Sequence, residues 1–272
     1  MTRVAVAPVG TLEPQFTGER RARSRWPGLW REVALIAVCY AVYSLVRNLV
    51  PARHQEALGR AHELYGAERT LHLDLERPLN QLFSEVTWLG LGANYYYATL
   101  HFAVTIGVLL WLYFRRPDRY PMYRWMMFGT TLAGLVGFWL YPLAPPRMLP
   151  GFVDTVLTLH GWGLYDSSPI ASVSNQYAAM PSLHTGWSLW CALAVVHLAR
   201  RRWVKIVAAC YPVCTVIVIL GTANHFLLDA VGGAVALACG FLAANLLGRV
   251  TVPVQRIALA MLTATPGRYR SG

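Results

Sequence analysis

The stretch that decides the fold is Tyr177 to Gly186, which reads YAAMPSLHTG and leads into a long apolar run. Pro181 and Ser182 are residue types that start helices. The run after His184, WSLWCALAVVHLA, is apolar enough to enter a bilayer. We therefore expect His184 on the first turn of a membrane-spanning helix, at the boundary between water and lipid.

A second stretch, GTANHFLLDAVGG, repeats this arrangement further along the chain. It begins with a loop that contains Asn224, continues with His225 and Asp229, and leads into an apolar run through Leu247. His225 lies 41 residues after His184. We expect both histidines at helix starts and interpret them as parts of one site.

The composition is that of an integral membrane protein. Of 272 residues, 56% are hydrophobic and 14% are charged, whereas a soluble domain has about 25% charged residues. Apolar runs of the length that a bilayer needs predict an all-α, polytopic fold with six transmembrane helices. The predicted spans are residues 33–50, 93–114, 126–141, 183–199, 204–220 and 226–247.

The remaining segments complete the predicted domain organisation. Residues 1–31 carry six arginines and no apolar core, which is typical of a disordered basic tail rather than a signal peptide. Residues 32–250 form the predicted six-span catalytic domain, and residues 251–272 a polar C-terminal tail. Residues 52–91 mix charges with apolar residues at helical spacing, which predicts an amphipathic segment on the membrane surface between spans one and two. A small cap over the following helices is the alternative.

Basic residues predict the orientation of the chain in the membrane. The two tails and the loops at 115–124 and 200–205 hold 18 basic residues, against five on the opposite side. Both termini are therefore predicted to be cytoplasmic, with the two histidines on the extracytoplasmic face. The net charge of +11 is dispersed among short loops, so we expect no nucleic-acid partner. Arginine outnumbers lysine 23 to 1, which favours a GC-rich bacterial genome and a bacterial plasma membrane.

The spacing of His225 and Asp229 suggests chemistry. Residues four apart share a helix face, and Asp229 is the one acidic residue inside a predicted span. A carboxylate that holds one ring nitrogen leaves the other basic, as a nucleophile or general base requires. His184 can supply the complementary acid. Arg147, in the proline-rich APPR loop, offers a guanidinium fork that suits phosphate.

Together these residues suit phosphoryl transfer through a phosphohistidine, with a lipid phosphate as substrate. Substrate contacts are predicted from Arg147, from Ser182 and from Asn224, although the last two also suit helix caps. His101 and His197 lie within predicted spans without a nearby carboxylate in sequence. We interpret them as packed helix residues, and the tyrosines at 95–97 as part of an interfacial aromatic belt.

The motifs PSLH and H-x-x-x-D, with YPLAPPR before the long loop, resemble the type 2 phosphatidic acid phosphatase superfamily, specifically its inositol phosphorylceramide synthase-like branch. The resemblance covers roughly Tyr141 to Gly233 and fits six spans. It implies that His225 is the nucleophile, Asp229 its orienting partner and His184 the acid for the leaving group, with no metal or cofactor required. The K-x6-R-P motif of the broader superfamily is absent, which leaves only Arg147.

Three alternatives stay open at this point. The enzyme could be a phosphatase, in which water removes the phosphate, or a phosphotransferase, in which an alcohol acceptor takes its place. Two histidines and an aspartate also describe a metal or haem protein. A transporter or purely structural membrane protein is the third alternative. The particular lipid and the oligomeric state do not follow from the sequence.

Overall fold

The computed structural model describes residues 28–49, 53–159 and 177–263, with the backbone alone at 47–49 and 248–263. Within these ranges the chain forms helices and loops, with no strand and one isolated β-bridge between Leu143 and Ala178. The α-helices are α1 (Leu29–Leu49), α2 (His54–Thr70), α3 (Glu76–Glu85), α4 (Thr87–Tyr95), α5 (His101–Arg115), α6 (Tyr120–Leu140), α7 (Thr155–Thr158), α8 (Leu183–Leu198), α9 (Arg202–Gly221) and α10 (Leu227–Thr263). A π-helical turn at Tyr96–Leu100 joins α4 to α5.

The described residues confirm the prediction of an all-α fold, and several of the helices are long and apolar enough to cross a membrane. Among the described residues, four segments are long and apolar enough: Leu29–Val46, Thr87–Arg115, Arg202–Gly221 and Leu227–Leu247. The predicted third span is the 21-residue α6, and the predicted fourth is α8, which at 16 residues is shorter than a bilayer needs. The count of six spans therefore stays a prediction.

The bundle is built around α6, α8 and α10. Its buried core is formed by α5, α6, α8 and α10, with Trp190 of α8 fully buried at its centre. The Trp190 indole N–H donates to the carbonyl of Tyr123 at 2.9 Å, so the one polar atom of that ring is satisfied. Helix α10 packs most extensively against α6 and also contacts α8.

Helix α1 is attached to the bundle through polar contacts with α6 and through Tyr43 and Val46, which pack against a buried cluster of Leu135, Phe138 and Leu183. The Arg124 guanidinium binds Glu32 of α1, with Nη1 2.6 Å from Oε2, and the Tyr120 hydroxyl donates to the same carboxylate at 3.1 Å. Glu32 lies inside the α1 candidate span. The prediction that Asp229 is the only acidic residue in a span was therefore wrong, because α1 begins four residues earlier than predicted.

The 52–91 segment packs over the end of the bundle where α8 and α10 begin. Ala57, Ala61 and Leu64 of α2 are buried against Leu143 and Phe226. Helix α3 contacts α9, and α2 contacts α10. These contacts favour the alternative interpretation of a cap over the helix ends; an interfacial position stays a prediction.

The predicted tails fall largely outside the described residues. Residues 1–27 and 264–272 are not described, and residues 29–31 belong to the start of α1. Helix α10 continues to Thr263 and so extends past the domain boundary that was predicted at residue 250.

Candidate active site

The two histidine motifs lie side by side at one end of the bundle. His184 stands on the first turn of α8, whose N-cap is Ser182. His225 lies two residues before the start of α10. The ring centroids of His184 and His225 are 5.7 Å apart, with 59° between the ring planes. The structure thus brings together two imidazoles that are 41 residues apart in the chain.

Main-chain contacts hold the two motifs together. The Ser182 N–H donates to the carbonyl of Asp229 at 2.9 Å, which joins the start of α8 to the first turn of α10. This approach requires glycine at 233, because a Cβ there would stand 2.3 Å from the Ser182 carbonyl oxygen. The contact is between backbones, so it fixes both helix starts relative to each other.

Asp229 lies against His225 as the four-residue spacing predicts. Asp229 is completely buried, and its Oδ2 lies 3.3 Å from Nδ1 of His225. The same oxygen accepts the Phe226 N–H at 2.9 Å. A carboxylate in this position favours the tautomer with the proton on Nδ1 and leaves the lone pair on Nε2.

Arg147 is held next to the turn that precedes His225. Its backbone N–H donates to the Ala223 carbonyl at 2.9 Å, and its Nη1 donates to Oδ1 of Asn224. Its Nε also lies 3.5 Å from Oδ2 of Asp154. Asp154 is thus an ion-pair partner of the guanidinium, and a phosphate group would have to compete with it for Arg147.

The other two predicted substrate contacts have structural partners. Ser182 is completely buried, and its hydroxyl accepts the Thr185 N–H at 3.4 Å as a helix cap. Asn224 donates through Nδ2 to the Thr222 hydroxyl at 2.8 Å. Ala223, between Thr222 and Asn224, has a positive φ of 52°. This backbone conformation is strained for alanine and persists only where the surrounding structure enforces it. The roles of both side chains in substrate binding stay predictions.

Two aromatic residues that sequence reasoning placed outside the site pack against His184. The Tyr97 ring stacks on the His184 ring at 4.2 Å between centroids, with 19° between planes. The buried His101 ring lies 4.1 Å away, and its Nδ1 is 3.1 Å from the Tyr97 carbonyl. Tyr97 lies in the π-helical turn and His101 directly follows it. Such π-helical turns often occur at functional sites. The spacing of apolar residues in the sequence does not predict where they occur.

A second group that sequence reasoning missed lies at the start of α10. Glu76 accepts the Leu227 N–H at 2.6 Å, and Glu68 accepts the Leu228 N–H at 2.7 Å. Both glutamates are completely buried. Burial raises the pKa of Glu68 from 4.5 to about 8 and also raises the pKa of Glu76, although the N–H groups that they accept oppose the shift.

The arrangement of possible metal ligands bears on the alternative of a metal protein. Within the described ranges, no three histidine, cysteine, aspartate or glutamate side chains are grouped so that they could hold a metal ion. The five cysteines are all free thiols. Asp229 instead contacts a ring nitrogen of His225 and the Phe226 N–H, and Glu76 and Glu68 accept backbone N–H groups of α10.

The described residues combine four helices that are long and apolar enough to cross a membrane with two adjacent histidines, one of them next to a carboxylate. A family model described as the PAP2 superfamily matches residues 62–243, well over half of the chain. The protein therefore belongs to the PAP2 superfamily, and this membership indicates a phosphatase or phosphotransferase activity. A search of curated proteins and a search of solved structures find no match to this chain.

Proposed function

We propose that the protein is a membrane lipid phosphatase that hydrolyses a lipid phosphate or diphosphate through a phosphohistidine on His225. The observation that carries the proposal is the 5.7 Å separation of the His184 and His225 rings. One phosphoryl group can lie between two imidazoles at such a distance, with a nucleophile on one side and the leaving oxygen on the other.

In the first step Nε2 of His225 attacks phosphorus, and the bond between phosphorus and the lipid oxygen breaks. The His184 imidazolium gives its proton to that oxygen, so that the lipid leaves as an alcohol or as a lipid monophosphate. Asp229, 3.3 Å from Nδ1, stabilises the positive charge that His225 gains. In the second step neutral His184 takes a proton from water, the water oxygen attacks phosphorus, and the P–N bond breaks.

The proposed location of this reaction is the extracytoplasmic face of a bacterial plasma membrane. The distribution of basic residues, 18 against five, supports this orientation. The site is formed at the start of helices rather than at mid-membrane depth, because His184 stands on the first turn of α8. A lipid headgroup at the membrane surface can reach such a site while its chains stay in the bilayer.

The second candidate is a phosphotransferase that moves a phospho-headgroup to an alcohol acceptor. The YPLAPPR, PSLH and H-x-x-x-D motifs favour it, since they resemble the inositol phosphorylceramide synthase-like branch. Both candidates share the first step and differ only in the group that attacks the phosphohistidine. The residues of the site do not distinguish water from an alcohol.

The test is to incubate the purified protein with a panel of labelled lipid phosphates, with and without alcohol acceptors and with and without a chelator. Release of inorganic phosphate that H225A and H184A lose supports the phosphatase. Transfer of the label to an acceptor in preference to water supports the phosphotransferase. Wild-type rates in H225A, or activity that disappears on chelation and returns with a metal, would contradict both metal-independent candidates.

A further inference from the structure

The start of α10 is capped by two carboxylates that come from distant parts of the chain. The first backbone N–H groups of a helix have no acceptor within the helix. A short side chain next to the helix, at the N-cap position, usually supplies such an acceptor. In α10 the Leu227 and Leu228 N–H groups donate to Glu76 and Glu68, which lie 151 and 160 residues earlier. The caps therefore tie α2 and α3 to the helix that carries Asp229.

The two glutamates form a buried acid pair. The Oε2 atoms of Glu68 and Glu76 and Oδ1 of Asp229 are buried without a hydrogen-bond partner among the described residues. Burial is the main cause of the raised pKa of both glutamates; Glu76 and Asp229 raise the pKa of Glu68 further, whereas Asp229 raises and the Glu68 side chain lowers the pKa of Glu76. Two ionised carboxylates in such a place repel each other, and one proton between them removes the repulsion and satisfies both outer oxygens.

We propose that Glu68 and Glu76 share one proton and act as positioning residues, which hold the first turn of α10 so that the His225 ring faces His184. The positioning part of this inference rests on the proposed function. The shared proton concerns the structure alone and can be tested without activity.

The place of the anchored N–H groups explains why the pair would matter. Leu227 and Leu228 lie between His225 and Asp229, so a movement of this turn displaces both members of the histidine–aspartate contact. A displacement of about 1 Å can cost about 100-fold in rate. Loss of the shared proton would raise the charge of the glutamate pair from one negative charge to two next to Asp229. The added repulsion would destabilise the folded state.

Glutamine substitutions distinguish the two roles of each glutamate, the sharing of a proton and the acceptance of a backbone N–H at the start of α10. In E68Q the amide oxygen can still accept the Leu228 N–H, and the amide N–H₂ imitates a carboxyl that keeps its proton. In E68A both functions disappear. E76Q and E76A repeat the comparison for the other cap. Glu63 is exposed on the same helix α2, so E63Q and E63A are the matched controls.

Three measurements on the purified full chain test the inference. The infrared C=O stretch of a protonated carboxyl should be present at neutral pH and should be missing in E68Q and E76Q. In the wild type this band should fade as the pH rises through about 8, the value to which burial raises the pKa of Glu68. The Tm of the wild type should fall between about pH 4.5 and pH 8, where the folded protein holds a proton that the unfolded chain has lost, and should level off above pH 8. The Tm of E68Q should not fall in this way. The kcat should fall about 100-fold in E68A, with little change in KM, and stay near the wild-type value in E68Q and in both Glu63 variants.

The outcomes distinguish failure of this inference from failure of the proposed function. If the wild type acts on no lipid phosphate, the proposed function fails, while the infrared and Tm measurements still decide the shared proton. A carboxyl band that survives in both glutamine variants overturns the shared proton. Wild-type kcat in E68A, or an E68Q enzyme as defective as E68A, overturns the positioning role. If E68A does not fold, the activity and pH profile of E68Q alone decide.

Discussion

The backbone N–H of Ser182 donates to the backbone carbonyl of Asp229 at 2.9 Å. This single hydrogen bond connects the PSLH motif with the H-x-x-x-D motif, because Ser182 caps the helix that carries His184 and Asp229 contacts His225. The geometry of the two imidazoles thus depends on contacts between backbones as well as on the side chains themselves.

Replacement of Asp229 by asparagine should reduce kcat by about 10²- to 10⁴-fold. Oδ2 of Asp229 both accepts the Phe226 N–H and lies against Nδ1 of His225. The asparagine therefore either places a neutral oxygen there, which stabilises the imidazolium less, or turns its N–H₂ toward Nδ1, which favours the wrong tautomer and loses the Phe226 contact. Steady-state kinetics of D229N measure the loss. D118N, at an exposed position, is the control and should keep wild-type rates; an active D229N enzyme would show that the carboxylate does not orient the ring.

Replacement of Gly233 by alanine should destabilise the protein by about 1–3 kcal/mol and lower kcat. The new Cβ would stand 2.3 Å from the Ser182 carbonyl oxygen, so α8 and α10 would have to move apart. Thermal unfolding in detergent and kinetics measure the two effects. G107A is the control, because a Cβ at Gly107 meets nothing within 4 Å. An unchanged Tm in G233A would mean that the helix starts are not held at this contact.

Arg147 should contribute mainly to substrate binding. R147A should raise the KM for a lipid phosphate by about 10- to 100-fold, the value of a hydrogen bond to a charged group, and lysine should not rescue it fully. R69A, on an exposed part of α2, is the control. An unchanged KM in R147A would restrict this residue to a structural role in the loop.

The ion pair between Arg147 and Asp154, 3.5 Å apart, gives a prediction in the opposite direction. D154N should lower KM, because the guanidinium no longer has a carboxylate that competes with phosphate. Asparagine is also a good N-cap, so the short helix α7 should keep its cap. A higher KM in D154N would show that the ion pair is needed to hold Arg147 in a productive position.

The Tyr97 ring should hold His184 in place. Y97L should lower kcat/KM by about 2- to 12-fold, the equivalent of one aromatic contact, because His184 loses the ring that stacks on it at 4.2 Å. Y95L changes an exposed tyrosine in the neighbouring turn of helix and should have little effect. Equal effects of both substitutions would show that the stacking contact has no special role.

The sequence predicts the local features of the site because they depend on short spacings. The i, i+4 contact between His225 and Asp229 follows from helix geometry, and the proximity of His184 follows from two helices that begin on the same side of the membrane. The caps from Glu68 and Glu76 could not be predicted, since each contact spans more than 150 residues. Tyr97 and His101 were missed because the π-helical turn changes which residues face α8.

In the fold as well, helix positions could be predicted from the local sequence, whereas contacts between distant parts of the chain could not. Helix positions follow from apolar runs, so the predicted spans at residues 183–199 and 204–220 coincide with α8 and α9 to within two residues. The first span was predicted to begin at Val33 because Glu32 precedes the apolar run, whereas Arg124 and Tyr120 of α6 give the Glu32 carboxylate partners inside the bundle. The cap formed by α2 and α3 depends on contacts with loops far along the chain, which hydrophobic spacing does not reveal.

The most direct test of the central claim is to trap the phosphorylated enzyme. A lipid substrate labelled in its phosphate is mixed with the protein, the reaction is stopped with alkali, which preserves phosphohistidine, and the labelled peptide is identified by mass spectrometry. The account predicts label on the His225 ring, at Nε2, and none in H225A. Label on another residue, or full turnover by H225A without a labelled intermediate, would contradict it.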